Sequence, residues 1–342
     1  MELTGKRVVV IGGAGLIGSH TVDQLIREQV SEIIVYDDFS HGQMNFLVDA
    51  GKDQRVQIVR ADIRNIDQLN CAITGADGVI HLATLLLLRC RADPEAGFEV
   101  NVRGTFNVMQ ACIAQRVKRL VYASSTSVYG NAVQEPMTEE HPLNNQNLYG
   151  ATKIASEALL HACYHEYGLA YVAMRYMNVY GPRQGYAGVY MSVIMRMFDA
   201  AERGESPVIV GDGNEAYDLI IAEDIARANV CALRADTVGR AYNIGTGVKT
   251  SLRELAEIIC DLTGCNAPVR YVPRADAANL VRNRVGDPAR ASAEIGFKAH
   301  IPVREGLRKL MEWRAANPWA IQHPEGSLRS ALQPLGDTVP RR

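Results

Sequence analysis

The sequence predicts an α/β chain built on a doubly wound parallel sheet, with a smaller C-terminal α/β lobe. Three observations carry that prediction. Short β-branched apolar runs alternate with longer segments of helical spacing through the first half, the pattern of a parallel sheet joined by crossover helices. A glycine-rich loop links the first such run to the first helical segment. After Gly181 the rhythm changes, with punctuation at Pro182, Gly185, Gly188, Gly204, Pro207, Gly211 and Gly213.

The runs at 7–11, 33–36, 56–59, 78–82, 119–123 and 171–176 read as strands. Between them, 16–29, 65–74, 95–116 and 148–167 read as helices. Residues 1–181 therefore form the first domain. Residues 182–216 and 246–317 form the lobe over the carboxyl ends of the strands, with helical spacing at 189–204, 251–264 and 303–316. The segment 217–245 is expected to return to the main sheet. From Pro318 periodicity is lost, so 318–342 is expected to be a mobile tail or an arm packed on a partner.

Composition narrows the function. Of 342 residues, 47% are hydrophobic and 22% charged, and the net charge of −2 supplies no basic footprint for a nucleic acid. The longest apolar runs, Val8–Ile11 and Leu85–Leu88, fall far short of the roughly 20 residues of a membrane span. The chain enters its first strand without a basic and apolar leader, so a cytoplasmic protein is expected. Seven scattered cysteines without a C-x-x-C pair read as reduced thiols, and His161 and His165 lack the partners of a metal site.

The loop Gly12-Gly13-Ala14-Gly15-Leu16-Ile17-Gly18 satisfies G-x-G-x-x-G at 13, 15 and 18. Glycines allow the tight turn, bare backbone to approach a pyrophosphate, and close packing of helix on strand, while free N–H groups of the helix hold the anion. Together with the alternating elements, this is the signature of a Rossmann dinucleotide site. Asp37 stands 19 residues beyond Gly18, at the end of the second strand, where a carboxylate can accept both adenosine ribose hydroxyls. No Arg or Lys occurs from Asp37 through Asn45 to receive a 2′-phosphate, so NAD is expected over NADP. Asp62 has two readings, a partner for the adenine or a cap on the helix that follows.

In Tyr149-Gly150-Ala151-Thr152-Lys153 the phenol and the ammonium lie four residues apart, on one face of a helix. A tyrosine base near neutrality needs a fall of about three pH units from its ordinary value, which the lysine and the positive ring of oxidised nicotinamide can supply together. The fifth strand runs into Ser124-Ser125-Thr126-Ser127-Val128-Tyr129-Gly130, placing hydroxyls at the carboxyl end of the sheet. Ser125 is the candidate to hydrogen-bond the oxygen being deprotonated. Ser124, Thr126 and Ser127 fit better as hydroxyls that satisfy the strand-end turn.

These segments, with His81-Leu82-Ala83, Asn101-Val102-Arg103-Gly104-Thr105 and Arg175-Tyr176-Met177-Asn178-Val179-Tyr180-Gly181-Pro182, follow one another in a recognisable order. Together they resemble the extended short-chain dehydrogenase/reductases and, within them, the NAD-dependent epimerase/dehydratase family, over about residues 5–316. The resemblance implies Ser125, Tyr149 and Lys153 as the catalytic set and Asn178 as a contact to the nucleotide diphosphate. The expected cofactor set is Gly12, Gly15, Leu16, Ile17, Gly18, Asp37, Asp38, Ser40, Gly42, Asp62, Ile63, Leu82, Ala83, Thr84, Val100, Tyr149, Lys153 and Tyr176. The expected substrate set is Leu86, Ser125, Thr126, Tyr149, Asn178, Val189, Tyr217 and Arg274.

The dehydratase branch of that family carries an Asp-Glu pair after the catalytic Ser/Thr; here Thr126 and Ser127 stand there, leaving no proton donor for water loss. The implied activity is C4 epimerisation of a UDP-hexose, or its uronate or N-acetyl derivative, by a homodimer paired through 95–116 and 148–167. The alternatives are a nucleotide-sugar dehydratase or oxidoreductase, and a non-catalytic NAD-binding regulator. Tyr217 replaces an arginine that grips a phosphate in the family, and Arg274, Arg282 and Arg284 are the candidates to compensate. Leu85–Leu88 replaces a mixed polar stretch and reads either as a buried helix start or as the wall of a more apolar sugar pocket.

Overall fold

The structure is a computed structural model that describes residues 1–185, 193–273 and 284–320. In chain order the first domain runs β1 (Arg7–Ile11), α1 (Leu16–Arg27), β2 (Glu32–Asp37), β3 (Val56–Arg60), α2 (Ile66–Ile73) and β4 (Gly78–His81). It continues with α3 (Leu87–Ala92), α4 (Pro94–Phe98), α5 (Thr105–Ala114), β5 (Arg119–Ser125), α6 (Leu148–Tyr167) and β6 (Tyr171–Tyr176). Then come β7 (Asn178–Tyr180), α7 (Val193–Glu202), β8 (Val208–Val210), β9 (Ala216–Ile221), α8 (Ala222–Arg234) and β10 (Arg240–Ile244). The described chain closes with β11 (Lys249–Ser251), α9 (Leu252–Thr263), β12 (Arg270–Val272), α10 (Ala289–Ile295) and α11 (Val303–Ala316).

Seven parallel strands form the main sheet in the order β10-β6-β5-β4-β1-β2-β3. Strand order reverses at β1, which pairs with β2 on one side and β4 on the other, so the crossovers diverge and leave a crevice at their carboxyl ends. Val8 to Ile11 are fully buried because helices cover both faces. Val8 and Val10 pack with Val22 and Leu25 of α1 and Ile225 and Leu233 of α8. Val9 and Ile11 pack on the opposite face with Leu69, Val108 and Leu160. The lobe has its own core, in which Phe198, Ile209, Leu219, Ile259 and Leu310 meet. No helix among the described residues is long and apolar enough to cross a membrane.

The helix expected over 95–116 is present but not uniformly α-helical. Asp93 accepts the Ala96 N–H at 3.0 Å and Pro94 starts a new helix, after which Glu99–Gly104 winds as a π-helical turn before α5. Gly104 presses on Ile63, where a Cβ would stand 2.6 Å from the Ile63 side chain. The expected return over 217–245 is also narrower than the sequence suggested. β9 pairs with β7 and β11 in a three-stranded sheet of its own, and only β10 joins the main sheet, beside β6. The chain after α11 starts with a turn at Pro318–Ala320, where Trp319 packs against Phe46 and Trp313 of the same chain. The remainder of the expected tail lies outside the described residues.

Candidate active site

The loop between β1 and α1 is backbone pressed on backbone. Gly12 has a φ of +80°, and a Cβ there would stand 2.6 Å from the Ala83 amide nitrogen. A Cβ on Gly18 would overlap the Gly12 carbonyl. Gly15 caps α1 without a side chain and the first turn has no acidic residue, so the amides of Leu16, Ile17 and Gly18 are available to an anion. A dinucleotide pyrophosphate fits this cradle, which side chains would fill.

Asp37 closes β2 and is 8% exposed. Its Oδ2 accepts the Ala14 N–H at 2.9 Å and its Oδ1 the Phe39 N–H at 2.8 Å, so the carboxylate also ties the glycine loop to the β2 end. Burial raises its pKa against those two amides. Gly42 lies directly on this carboxylate, while Asp38 is exposed and accepts the Ser40 N–H at 2.8 Å. Of the two sequence readings of Asp62, the structure does not adopt the cap. Asn65 caps α2, and the Asp62 carboxylate is paired with Arg64 at 2.6 Å because both leave the strand end on one short loop. Ile63 is buried, and Val100 sits on the π-helical turn, partly buried against the same core. Tyr176 stands level with Ser125, yet its hydroxyl donates to Asn229 Oδ1 at 2.5 Å on the α1–α8 face, which turns its ring from the crevice.

Asn147 caps α6 by accepting the Gly150 N–H at 2.8 Å, and Gly150 lets the helix press on the strand end, since a Cβ there would lie 2.5 Å from the Ser127 carbonyl oxygen. That contact brings the first turn of α6, which carries Tyr149, over Ser125. The nearby Ser125 and Thr84 hydroxyls favour the Tyr149 phenolate, and Arg284 acts in the same sense. Burial outweighs them and pushes the phenol up to about 12. Lys153 is 2% exposed, donates to the Ala123 carbonyl at 2.8 Å, and is pushed down to about 7 by burial. Ser124 is held by Glu157, which pairs with Arg175 at 2.6 Å, so its hydroxyl faces behind the crevice. Thr126 and Ser127 are buried in the turn that follows Ser125.

Asn101 is the residue whose role the sequence reading missed. Its Oδ1 accepts the Leu85 N–H at 2.7 Å and the Thr84 hydroxyl at 3.1 Å, and its Nδ2 donates to the Leu85 carbonyl at 3.0 Å and to Thr152 at 3.2 Å. It locks the Leu82-Ala83-Thr84 segment to α6. The Asn-Val-Arg-Gly-Thr run was visible, but a π-helical turn has no periodicity signal. Leu85–Leu88 does start a helix, α3, though not a buried one. Leu86 is 42% exposed and Leu87 is 37% exposed, because Asn101 pulls only the Leu85 backbone inward.

A cavity of about 1310 Å³ opens between β7, β9 and α7, lined by Asn178, Arg196, Glu215, Tyr217 and Arg270 among others. Asn178 Nδ2 reaches the Asp218 carbonyl at 3.4 Å. Tyr217 is bridged through its backbone to Arg284. Val189, Arg274 and Arg282 lie outside the described residues.

Fold and site together define a dinucleotide-binding α/β enzyme of the extended short-chain dehydrogenase/reductase type. Residues 8–245 match the model of the NAD dependent epimerase/dehydratase family. The chain is 33% identical to a putative UDP-glucose 4-epimerase of Methanocaldococcus jannaschii, over 91% of this chain and 99% of that protein. It superposes with a TM-score of 0.86 on the UDP-N-acetylglucosamine 4-epimerase of Methanobrevibacter ruminantium in complex with UDP-N-acetylmuramic acid, at 31% identity, covering 92% and 99% of the two chains. A dTDP-glucose 4,6-dehydratase of Streptomyces venezuelae with NAD bound gives 0.83 at 28% identity, covering 92% and 98%. The chain belongs to the NAD dependent epimerase/dehydratase family, and NAD is its cofactor.

Proposed function

We propose that the chain is an NAD-dependent 4-epimerase of a UDP-linked hexose or hexose derivative. The observation that carries this reading is the Tyr149 phenol, backed by Ser125 and Thr84, with Thr126 and Ser127 where a dehydratase needs acids. The 4-epimerase relatives support it.

Tyr149 takes the proton of the C4 hydroxyl, and Ser125 holds that oxygen by hydrogen bond through the transfer. NAD, held by the glycine loop and Asp37, would supply the hydride acceptor at C4 and the return of that hydride to the other face of the sugar. Tyr149 then gives its proton back, so neither proton nor hydride is lost over a cycle. The Leu16, Ile17 and Gly18 amides hold the pyrophosphate, and Asp37 the adenosine ribose. Lys153 on α6 would hold the nicotinamide ribose. Asn178 and Tyr217 line the diphosphate end of the large cavity.

We further expect residues 1–181 with 217–245 to bind NAD and 182–216 with 246–317 to bind substrate. A cytoplasmic homodimer paired through α4, α5 and α6 completes the reading, with Phe98 of α4, 50% exposed, at that surface. Proton NMR of the purified protein with UDP-glucose tests the activity. Formation of UDP-galactose without consumption of NAD supports it; a 4-keto-6-deoxy product shows a dehydratase instead.

A further inference from the structure

The carboxyl end of α9 closes on a pair of cysteines. Gly264 follows the helix at a φ of +69°, the Cys265 N–H donates to the Cys260 carbonyl at 2.9 Å, and the Gly264 N–H reaches the Asp261 carbonyl at 3.4 Å. These paired hydrogen bonds make a Schellman cap, a geometry that brings the side chains of its first and sixth residues together over the helix end. Both of those positions are cysteine, and both are half-buried free thiols. The direct backbone hydrogen bond between them also keeps their Cα atoms inside the roughly 7 Å limit of a disulfide. Burial holds the Cys260 thiol above its ordinary range, and Cys265 adds to that effect.

The pair borders the large cavity. The Cys265 thiol donates to the Glu205 carbonyl at 3.6 Å, which ties the end of α9 to the turn after α7. Glu205 and Ser206 on one side of that tie, and Ala267 and Arg270 on the other, line the cavity wall. A disulfide sulfur has no proton to donate, so oxidation of Cys265 removes the tie. The next hold between the two edges is the Arg270 N–H on the Pro207 carbonyl at 2.9 Å, which confines the loosening to the rim.

We propose that Cys260 and Cys265 form a redox modification site, at which a small-molecule disulfide of the glutathione class closes a Cys260–Cys265 bond across the α9 cap and releases one edge of the cavity. One cysteine thiolate attacks the small disulfide, forming a mixed disulfide and expelling one thiolate of the oxidant. The second cysteine thiolate attacks the protein sulfur of that mixed disulfide and expels the other. Two cysteine thiols are oxidised, one small disulfide is reduced to two thiols, and the protons of Cys260 and Cys265 pass to the thiolates released. An excess of the small thiol runs the exchange backwards. The effect on a ligand rests on the proposed reading of the cavity as the nucleotide-sugar site; the disulfide itself does not.

The test equilibrates the protein in mixtures of reduced and oxidised glutathione, quenches free thiols by alkylation and maps the tryptic peptides by mass. Residues 254–270 form a single tryptic peptide that carries both cysteines. The expected result is that peptide unalkylated and lighter by two hydrogens than the dithiol, a form that disappears on adding dithiothreitol. In Cys260→Ser and in Cys265→Ser the remaining cysteine should hold glutathione instead, because the second attack is missing. Both thiols still reduced in oxidised glutathione alone, or a wild type that keeps glutathione on either cysteine without closing the bond, overturns the inference, and neither result depends on a variant that folds. Calorimetric titration with UDP reads the cavity: oxidation is expected to weaken binding a few-fold in the wild type and to change nothing in the double variant Cys260→Ser/Cys265→Ser, which keeps a donor to Glu205. Equal UDP affinity of the oxidised and reduced wild type overturns the release of the cavity edge. Failure of the reduced protein to bind UDP sinks the nucleotide-sugar reading and leaves the disulfide standing.

Discussion

The Lys153 ammonium lies 5.6 Å from the centre of the Tyr149 ring, but its hydrogen bond goes to the Ala123 carbonyl, 2.8 Å away. The sequence expectation that lysine draws the phenol down is therefore not met by direct contact. The amine is itself hard to charge where it sits. Its value falls from an ordinary 10.5 to about 7, so across that window the unfolded chain holds a proton the folded chain has released. Stability of the NAD-free protein should accordingly rise with pH from about 7 toward 10.5. Lys153→Met should be more stable than wild type at the bottom of the window, with the gap closing by up to about 1.4 kcal/mol per pH unit. Urea melts at several pH values check this, and a constant gap would mean that Lys153 is not charged at a cost.

Tyr149→Phe keeps the ring, so its packing and NAD retention should be unchanged. Removing the hydroxyl removes the proton acceptor, and turnover should fall by about 10²–10⁴-fold. Because burial holds the phenol up at about 12, wild-type turnover should also climb with pH through the neutral range, while the residual rate of the variant stays flat. Initial rates of both proteins between neutral and alkaline pH measure this. A variant within a few-fold of wild type would remove Tyr149 from the role of base.

Two glycines of the same loop should behave differently. A methyl on Gly12 meets the Ala83 backbone at 2.6 Å and forces a φ of +80° on an L-residue, so Gly12→Ala should lose stability as well as NAD. At Gly15 the nearest atom to a Cβ is the Gly12 carbonyl oxygen at 3.5 Å, an ordinary contact. Gly15→Ala should therefore melt with the wild type when NAD is absent and show only weaker NAD binding. Thermal melts with and without added NAD separate the cases. Equal melting of all three proteins without NAD would show that the Gly12 turn relaxes at little cost.

What the sequence revealed follows from what leaves a period. The central strands were legible because Val8–Ile11 is buried on both faces, and α11 because 303–316 repeats its apolar positions cleanly. The cap and proline at Asp93-Pro94 mark the start of the 95–116 helix in the sequence, whereas the π-helical turn at Glu99–Gly104 leaves no signal in the apolar spacing. The Tyr149–Lys153 pair is local and was readable. Convergence over long separations was not: Arg284 is placed beside Tyr217 only through the pairing of its backbone with β9, and no spacing encodes that. Asp62 had two sequence readings because a carboxylate before a helix fits a cap as well as a ligand, and with Asn65 in the cap the ligand reading is the one that remains.

Asn101 supplies the last prediction. It is 1% exposed, and its amide has two donors and two acceptor sites. Those sites are taken by Leu85, Thr84 and Thr152, so it joins the segment holding Thr84 to the helix holding Tyr149. Leucine has nearly the same shape but satisfies none of these groups, and the Leu85 N–H would lose its partner, while the Leu85 carbonyl keeps the Thr84 hydroxyl and the Cys90 thiol. At about 1–3 kcal/mol for an orphaned group, Asn101→Leu should cost roughly 2 kcal/mol of stability. Thr84 would also be freed to drift from the phenol, so turnover should fall more than NAD affinity. Thr152→Val is the control, because it deletes one of the partners and leaves the Leu85 contacts in place. It should cost about 1 kcal/mol and leave turnover near wild type. Urea melts and initial rates of the two variants decide the matter, and equal losses of turnover in both would show that Asn101 fills space without positioning Thr84.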